Sequence, residues 1–472
     1  MTFQHKYPAT KAFAVFLAAF ALFVTISLLV EPDVPDSYKY LFSLPLATCV
    51  LSFWALISVP KFIGLTPWIM IGFIYLRNVI ASYVLLLDSF QSKFGYLTQQ
   101  DVNPALTIMI YETIVLYFVI VFYAKQMQSL AISSARPIGV HRITTPRSQV
   151  AYLLGLSVGI CIAFYALISS QELRNSFFSI FTSNFYELEF SDISSSSTRG
   201  PYNGGKVLID ALRLVIPVTI SIVLQKKFGT TKLVVWISIA MAGVQLLYMT
   251  SGNAYVMMLM STQLILLYRL HPNARPLIQN AMIGLSVLFG LLMLLHRFLR
   301  PESAYNSSVS VFLQSYFGGV ADVAGIFKLE RNHVLAQMIS DFYACVPFRS
   351  TLFGYKGASV LTAFFYNEVN GCHAQILPTI AECYYFLGWV LSPLFSTMLA
   401  IISFRLEILA NRQNNWLYFT LFMLISMVAA MSIVAYDLRI FLFILLNKFL
   451  FMWLFICLSK NCIMYAMYSH GE

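Results

Sequence analysis

Charge is scarce in this chain. Asp, Glu, Lys and Arg make up 11% of its 472 residues, less than half of the roughly 25% typical of a water-soluble fold. With 59% hydrophobic residues and a mean hydropathy of +0.75, the polar side chains are too few to coat a soluble surface. A soluble enzyme, a soluble nucleic-acid binder and a disordered tail are excluded on that ground. Chemical motifs are scarce as well. HExxH, CxxC, GxxxxGKS/T and Asp-x-Asp are all missing, so no metal and no cofactor is expected. Seven cysteines offer little: Cys49, Cys161, Cys383 and Cys457 fall in apolar stretches and read as small core residues. Cys345 and Cys372 share one late loop, where a disulfide is one reading that spacing alone does not fix.

What the chain has instead is long apolar runs. A helix needs about 20 apolar residues to cross a bilayer core, and twelve such stretches stand out: 12–30, 40–59, 67–87, 104–123, 150–168, 207–224, 232–249, 253–268, 276–296, 376–402, 414–435 and 439–458. The expectation is an all-α polytopic membrane protein of about twelve transmembrane helices, forming one domain over 1–472, with a large late loop at 297–375. The first run follows His5, Lys6 and Lys11 and continues into Glu31-Pro32-Asp33 without a small-residue cleavage site, so it reads as an uncleaved anchor. Inside the late loop, 309–327 is apolar but interrupted by Gly318-Gly319, which fits an interfacial or re-entrant helix pair better than another span.

The net charge of +10 is a topology signal. With the amino terminus in the cytoplasm, the loops on that side hold fifteen Lys and Arg against Glu407 and Glu472 alone. The opposite loops hold eleven basic and fifteen acidic residues. The positive-inside rule selects this orientation, with both termini cytoplasmic, and nucleic acid is not implied.

Ionisable groups within spans cost about 2.5–3.5 kcal/mol each on insertion scales, so each is a candidate site with a partner to be found. Arg77 lies mid-span, Asp210 and Arg213 share one face, and Glu382 sits in the outer part of the tenth stretch. Arg439 opens the twelfth; His296, Arg297 and Arg300 leave the ninth; Glu112 and Lys448 lie nearer the middle. One reading is structural: Asp210–Arg213 as an intrahelical pair, Arg297 and Arg300 as interfacial anchors, Lys448 snorkelling or neutralising Glu112 or Glu382. The other is an outward-facing cradle of guanidiniums, whose planar fork suits phosphate oxygens.

The segment Gly371-Cys-His-Ala-Gln-Ile-Leu-Pro378-Thr-Ile-Ala-Glu382-Cys-Tyr-Tyr-Phe-Leu-Gly388-Trp-Val-Leu-Ser-Pro393 resembles the late signature of bacterial O-antigen and capsular repeat-unit polymerases, the Wzy family. In that family a polar outer loop leads into Pro, Glu, aromatics and Phe-x-Gly. The match covers chiefly the last third. The Gly-x-Arg that many relatives carry between central spans is replaced here by Gly252-Asn253-Ala254, and the Arg-x10-Gly pattern of one branch is missing.

The resemblance implies an architecture similar to the integral membrane glycosyltransferases. It implies transfer of a glycan from undecaprenyl pyrophosphate onto the terminal sugar of a second lipid-linked repeat at the periplasmic face. The implied partners are that lipid-linked oligosaccharide, membrane lipid, a chain-length regulator and a flippase. On this reading Arg77, Arg213, Arg297, Arg300, Arg349 and Arg439 are candidates for the pyrophosphate clamp. Glu382, Asp322 and His373 are candidates for the base, and Tyr384, Tyr385 and Trp389 for stacking on sugar. An O-antigen ligase and a lipid-linked oligosaccharide flippase are the alternatives.

Overall fold

The computed structural model describes residues 8–58, 64–90, 97–133, 146–169, 204–229, 231–248, 253–298, 313–314, 317–331, 334–346, 361, 377–413, 416–450 and 452–453. Among them the architecture is all-α. The helices are α1 (Pro8–Val30), α2 (Ser43–Ser58), α3 (Thr66–Tyr75) continued through a π turn (Leu76–Ile80) into α4 (Ala81–Leu87), α5 (Gln99–Ser133) and α6 (Pro146–Ser169). Then come α7 (Gly204–Phe228), α8 (Lys232–Gly243), α9 (Asn253–Leu270), α10 (Arg275–Phe298), the short α11 (Val320–Gly325) and α12 (Val334–Cys345). The chain continues through α13 (Thr379–Leu387), α14 (Leu394–Arg412), α15 (Trp416–Ala435) and α16 (Leu438–Ile444), which runs into a second π turn (Leu445–Phe449).

Four helical stretches are long and apolar enough to cross a membrane: Thr66–Leu87, Gln99–Gln126, Leu394–Arg412 and Leu417–Ala435. The last is the central one, buried along nearly its whole length. Its apolar residues run all round the helix, as burial on every side demands. It meets α14 through small residues, and the Ser403 and Ser426 hydroxyls each donate to the other's carbonyl, at 2.6 and 2.8 Å. Small side chains let two helix backbones come close where no water competes for their hydrogen bonds. The main core joins α1–α5, α11 and α13–α16; α8–α10 form a second apolar cluster, and α6 with α7 a third.

One expected span is broken. The stretch 376–402 is two helices, because Gly388 takes a left-handed conformation (φ 80°) and the chain turns through Ser392-Pro393 before α14 starts. As a result α14 continues past 402, and Glu407, assigned above to a cytoplasmic loop, is a buried helical residue. Its carboxylate accepts the amides of Leu65 and Thr66 at 2.6 and 3.1 Å, closing the open N-terminus of α3. Gly64 (φ 109°) makes this approach possible; a Cβ there would stand 2.9 Å from Glu407 Oε1.

The glycine pair in 309–327 does divide that segment. Gly318 (φ 56°) turns the chain against Pro378, and Gly319 begins the fully buried α11, packed on α5. A side chain at Gly319 would collide with Gln314, whose amide carbonyl accepts Ala321 N–H (3.2 Å) and whose NH2 donates to Ala81 O (3.2 Å).

Pro217, inside α7, removes the amide that would bond the carbonyl of Arg213. Gln245 and Gln263 replace it, donating to that oxygen at 2.8 and 3.2 Å.

Candidate functional site

Two buried ionic centres emerge. In the first, Arg77 Nη2 meets Glu112 Oε2 at 2.6 Å, with both side chains fully excluded from solvent. Ser396 from α14 donates to the other oxygen of Glu112. Arg77 Nε donates to Asn78 Oδ1 at 3.2 Å, and Asn78 Nδ2 reaches Thr48 (3.1 Å) and Thr113 (3.0 Å). The π turn at Leu76–Ile80 is where Arg77 and Asn78 sit, and both are buried. This network ties α2, α3, α5 and α14 together, and one cation faces one anion. The partner of Glu112 is therefore Arg77 and not Lys448.

The second centre is built at the start of α16. Asp437 is its N-cap, accepting Ile440 N–H at 2.6 Å. Glu382, projecting from α13, accepts Leu438 N–H at 2.7 Å. Two carboxylates thus meet the positive end of one helix. Thr379 anchors α13 by donating to the last carbonyls of α15, Ser432 and Tyr436, both at 2.7 Å. Arg439 follows immediately; its Nη2 lies 3.7 Å from Asp437 Oδ2, while Nε and Nη2 make no hydrogen bond. Asp341 completes the group from α12, held by Leu361 N–H at 2.8 Å. Burial pushes the Asp341 carboxyl up to about 7, against the pull of Arg439 and the Leu361 amide.

Asp341, Glu382 and Arg439 line a small cleft with aromatic and leucine side chains of α12, α13, α14 and α16, with space for about one water-sized group.

Among the described residues, the clamp candidates Arg77, Arg213 and Arg439 do not share one site. Arg77 is held by Glu112, Arg213 donates to Gln245 Oε1 at 3.3 Å, and Arg439 lies among three carboxylates; these are three separate environments. Arg300, Arg349 and His373 lie outside the described residues, as does the side chain of Arg297. Asp322 is buried in α11 against α5, away from α16.

Tyr385 is fully buried and its hydroxyl makes no hydrogen bond. Tyr384 belongs to a partly exposed cluster with Phe327 (4.5 Å between ring centres) and Trp389 (5.8 Å), under the Arg331 guanidinium (5.6 Å). Arg331 also donates to Tyr385 O at 2.8 Å, closing the C-terminus of α13.

Cys345 is a free thiol donating to the carbonyls of Asp341 and Arg439, so the disulfide reading is corrected; Cys372 lies outside the described residues. Cys161 is exposed on α6 and is not a core residue. Gly155-Leu156-Ser157-Val158-Gly159 spells the G-x-S-x-G of a nucleophile elbow, but it lies inside the continuous helix α6 and not at a strand-to-helix turn.

The sequence reading passed over Asp341, Asp437 and Arg331. Asp437 carried a signal, an N-cap residue directly before an apolar run. Asp341 carried another: Gln337, Ser340 and Asp341 form a polar strip at helical spacing in an otherwise apolar stretch. No family model, curated protein or solved structure matches the chain.

Proposed function

We propose that the chain is a bacterial inner-membrane glycosyltransferase that polymerises lipid-linked oligosaccharide repeats, with its chemistry at the Glu382–Asp341–Arg439 cleft. The observation that carries the reading is the concentration of three carboxylates around one buried arginine, to which the Pro378–Glu382 segment of the resemblance contributes Glu382. In this reading twelve helices cross the membrane, with α14 (Leu394–Arg412) crossing in place of the stretch 376–402, both termini are cytoplasmic, and the cleft faces the periplasm. The substrate is an undecaprenyl-pyrophosphate-linked oligosaccharide, and a flippase and a chain-length regulator act before and beside the enzyme.

The cleft supplies proton transfer more readily than an anion clamp. The acceptor hydroxyl attacks the anomeric carbon of the donor glycan, the bond from that carbon to the pyrophosphate oxygen breaks, and the diphosphate leaves with the bonding pair. The hydroxyl proton passes to the free oxygen of Glu382, whose other oxygen is fixed by Leu438 N–H. Arg439 balances part of the cluster's negative charge. The reaction as written uses no nucleotide-sugar and no metal.

A deletion strain complemented with Glu382→Gln is expected to make polysaccharide of a single repeat unit, with the protein present in the membrane. A normal ladder would remove Glu382 from the chemistry. Loss of all O-antigen from the core would favour the ligase reading instead.

A further inference from the structure

Helix α12 is inside out for a loop that faces water. Leu335, Ile339 and Phe342, at i, i+4 and i+7, form one stripe and are 65%, 53% and 46% exposed. The opposite stripe, Gln337, Ser340, Asp341 and Cys345, is buried against the protein. A water-facing amphipathic helix shows the reverse pattern, and three large apolar side chains in one exposed row mark a surface that something apolar covers.

The surroundings say what covers it. The helix is fastened to α16 by Asn447, which donates to Cys345 O at 2.9 Å, and by the Cys345 thiol on Arg439 O. Beyond that seam, α16 and its π-turn extension also expose apolar side chains, Phe443, Leu450 and Trp453. The turn between α13 and α14 does the same with Trp389, Val390 and Leu391. Helix α12 packs on α13 and α16, next to whose ends these further apolar side chains are exposed, and acyl chains are the occupant common to all of them.

We propose that α12 lies in one leaflet with Leu335, Ile339 and Phe342 against lipid, and that the Arg439 cleft opens sideways into that leaflet between Phe342 and Leu442. Phe342 belongs to both surfaces: it is part of the exposed stripe and it lines the cleft beside Arg439. A ligand entering there is an amphiphile. Its polar head meets Asp341, Glu382 and Arg439 while its chain stays in the bilayer. The position of the helix stands without the glycosyltransferase reading; only the nature of the entering head group rests on it.

The test uses the full-length protein in membrane vesicles, carrying Cys161→Ser to remove the exposed thiol among the described residues, and Cys372→Ser, Cys457→Ser and Cys462→Ser to remove the thiols outside them. Leu335→Cys and Ile339→Cys are compared with Asp33→Cys, an exposed polar position between α1 and α2. Expected is at least tenfold faster labelling of positions 335 and 339 by a membrane-soluble pyrene maleimide than by a membrane-impermeant sulfonated one, with the reverse ratio at position 33. Fast labelling of positions 335 and 339 by the charged reagent would overturn the proposal by placing the stripe in water. Protection from both reagents would overturn it by showing a protein partner or a second copy on the stripe. As a check that does not depend on cysteine substitution, a benzophenone side chain at position 342 should yield lipid adducts, and adducts to protein alone would contradict it. Lipid contact together with normal polymer from Glu382→Gln would sink the catalytic reading and leave this one standing.

Discussion

Arg77 and Arg439 are both buried arginines of apolar helices, Arg77 within a π turn and Arg439 at the start of a helix that runs into one, yet their surroundings differ in kind. Arg77 meets one carboxylate at 2.6 Å, and a serine occupies the remaining oxygen of that carboxylate. Arg439 stands among Asp437, Asp341 and Glu382, and each of the two arginines leaves two guanidinium nitrogens without a hydrogen bond. A one-to-one pair is balanced in charge. A three-to-one cluster beside a cleft is not neutral unless it takes up protons or meets a ligand. The difference separates an arginine matched by one carboxylate from one among an excess of them, which residue type and depth in the sequence do not.

The largest effect should come from breaking the closed pair. Glu112→Ala leaves Arg77 as an uncompensated buried charge, a loss of about 3–5 kcal/mol, and the protein is expected to disappear from membranes by immunoblot. Replacing both partners, Arg77→Met with Glu112→Leu, should return most of the protein, because removing the pair also removes its desolvation cost. An abundant Glu112→Ala protein would show that the pair carries no structural weight.

In the open centre the expected pattern is opposite. Glu382→Gln keeps the shape and an acceptor for Leu438 N–H, so the protein should accumulate while polymer length collapses to one repeat. Asp341→Asn should act on pH dependence. Burial raises its folded-state pKa from 3.8 to about 7, so the native chain binds a proton that the unfolded chain releases between those values. The stability it lends is present at low pH and is lost as pH rises through about 7. Thermal unfolding of the parent in detergent should therefore shift to lower temperature between pH 5 and 8 by more than that of Asp341→Asn, and parallel curves would contradict the assignment.

The smallest effect belongs to a polar contact far from both centres. Gln263→Leu leaves the Arg213 carbonyl to Gln245 alone. This should cost about 1 kcal/mol, seen as a small drop in unfolding temperature with polymer length unchanged.

Much of the helical arrangement was legible because apolar runs and their breaks are written in composition. Gly318-Gly319 announced the interruption ahead of α11, and Pro378 and Glu382 announced a special segment. The break at Gly388 was hidden, since the flanking residues are as apolar as a span and only a left-handed glycine stops the helix. Partners were harder still. Glu112 pairs with a residue 35 positions earlier through the packing of α3 on α5, and nothing in spacing favours Arg77 over Lys448. The cluster at Arg439 draws on α12, α13 and α16, so its carboxylates become neighbours only when the chain folds.

The most direct measurement is polymer length in membranes from the same strain carrying either Glu382→Gln or the double replacement Arg77→Met with Glu112→Leu, each normalised to protein present. The expected result is single-repeat product from the first and long polymer from the second. Long polymer from Glu382→Gln, with the double replacement inactive though abundant, would move the chemistry to the Arg77 centre and contradict the account.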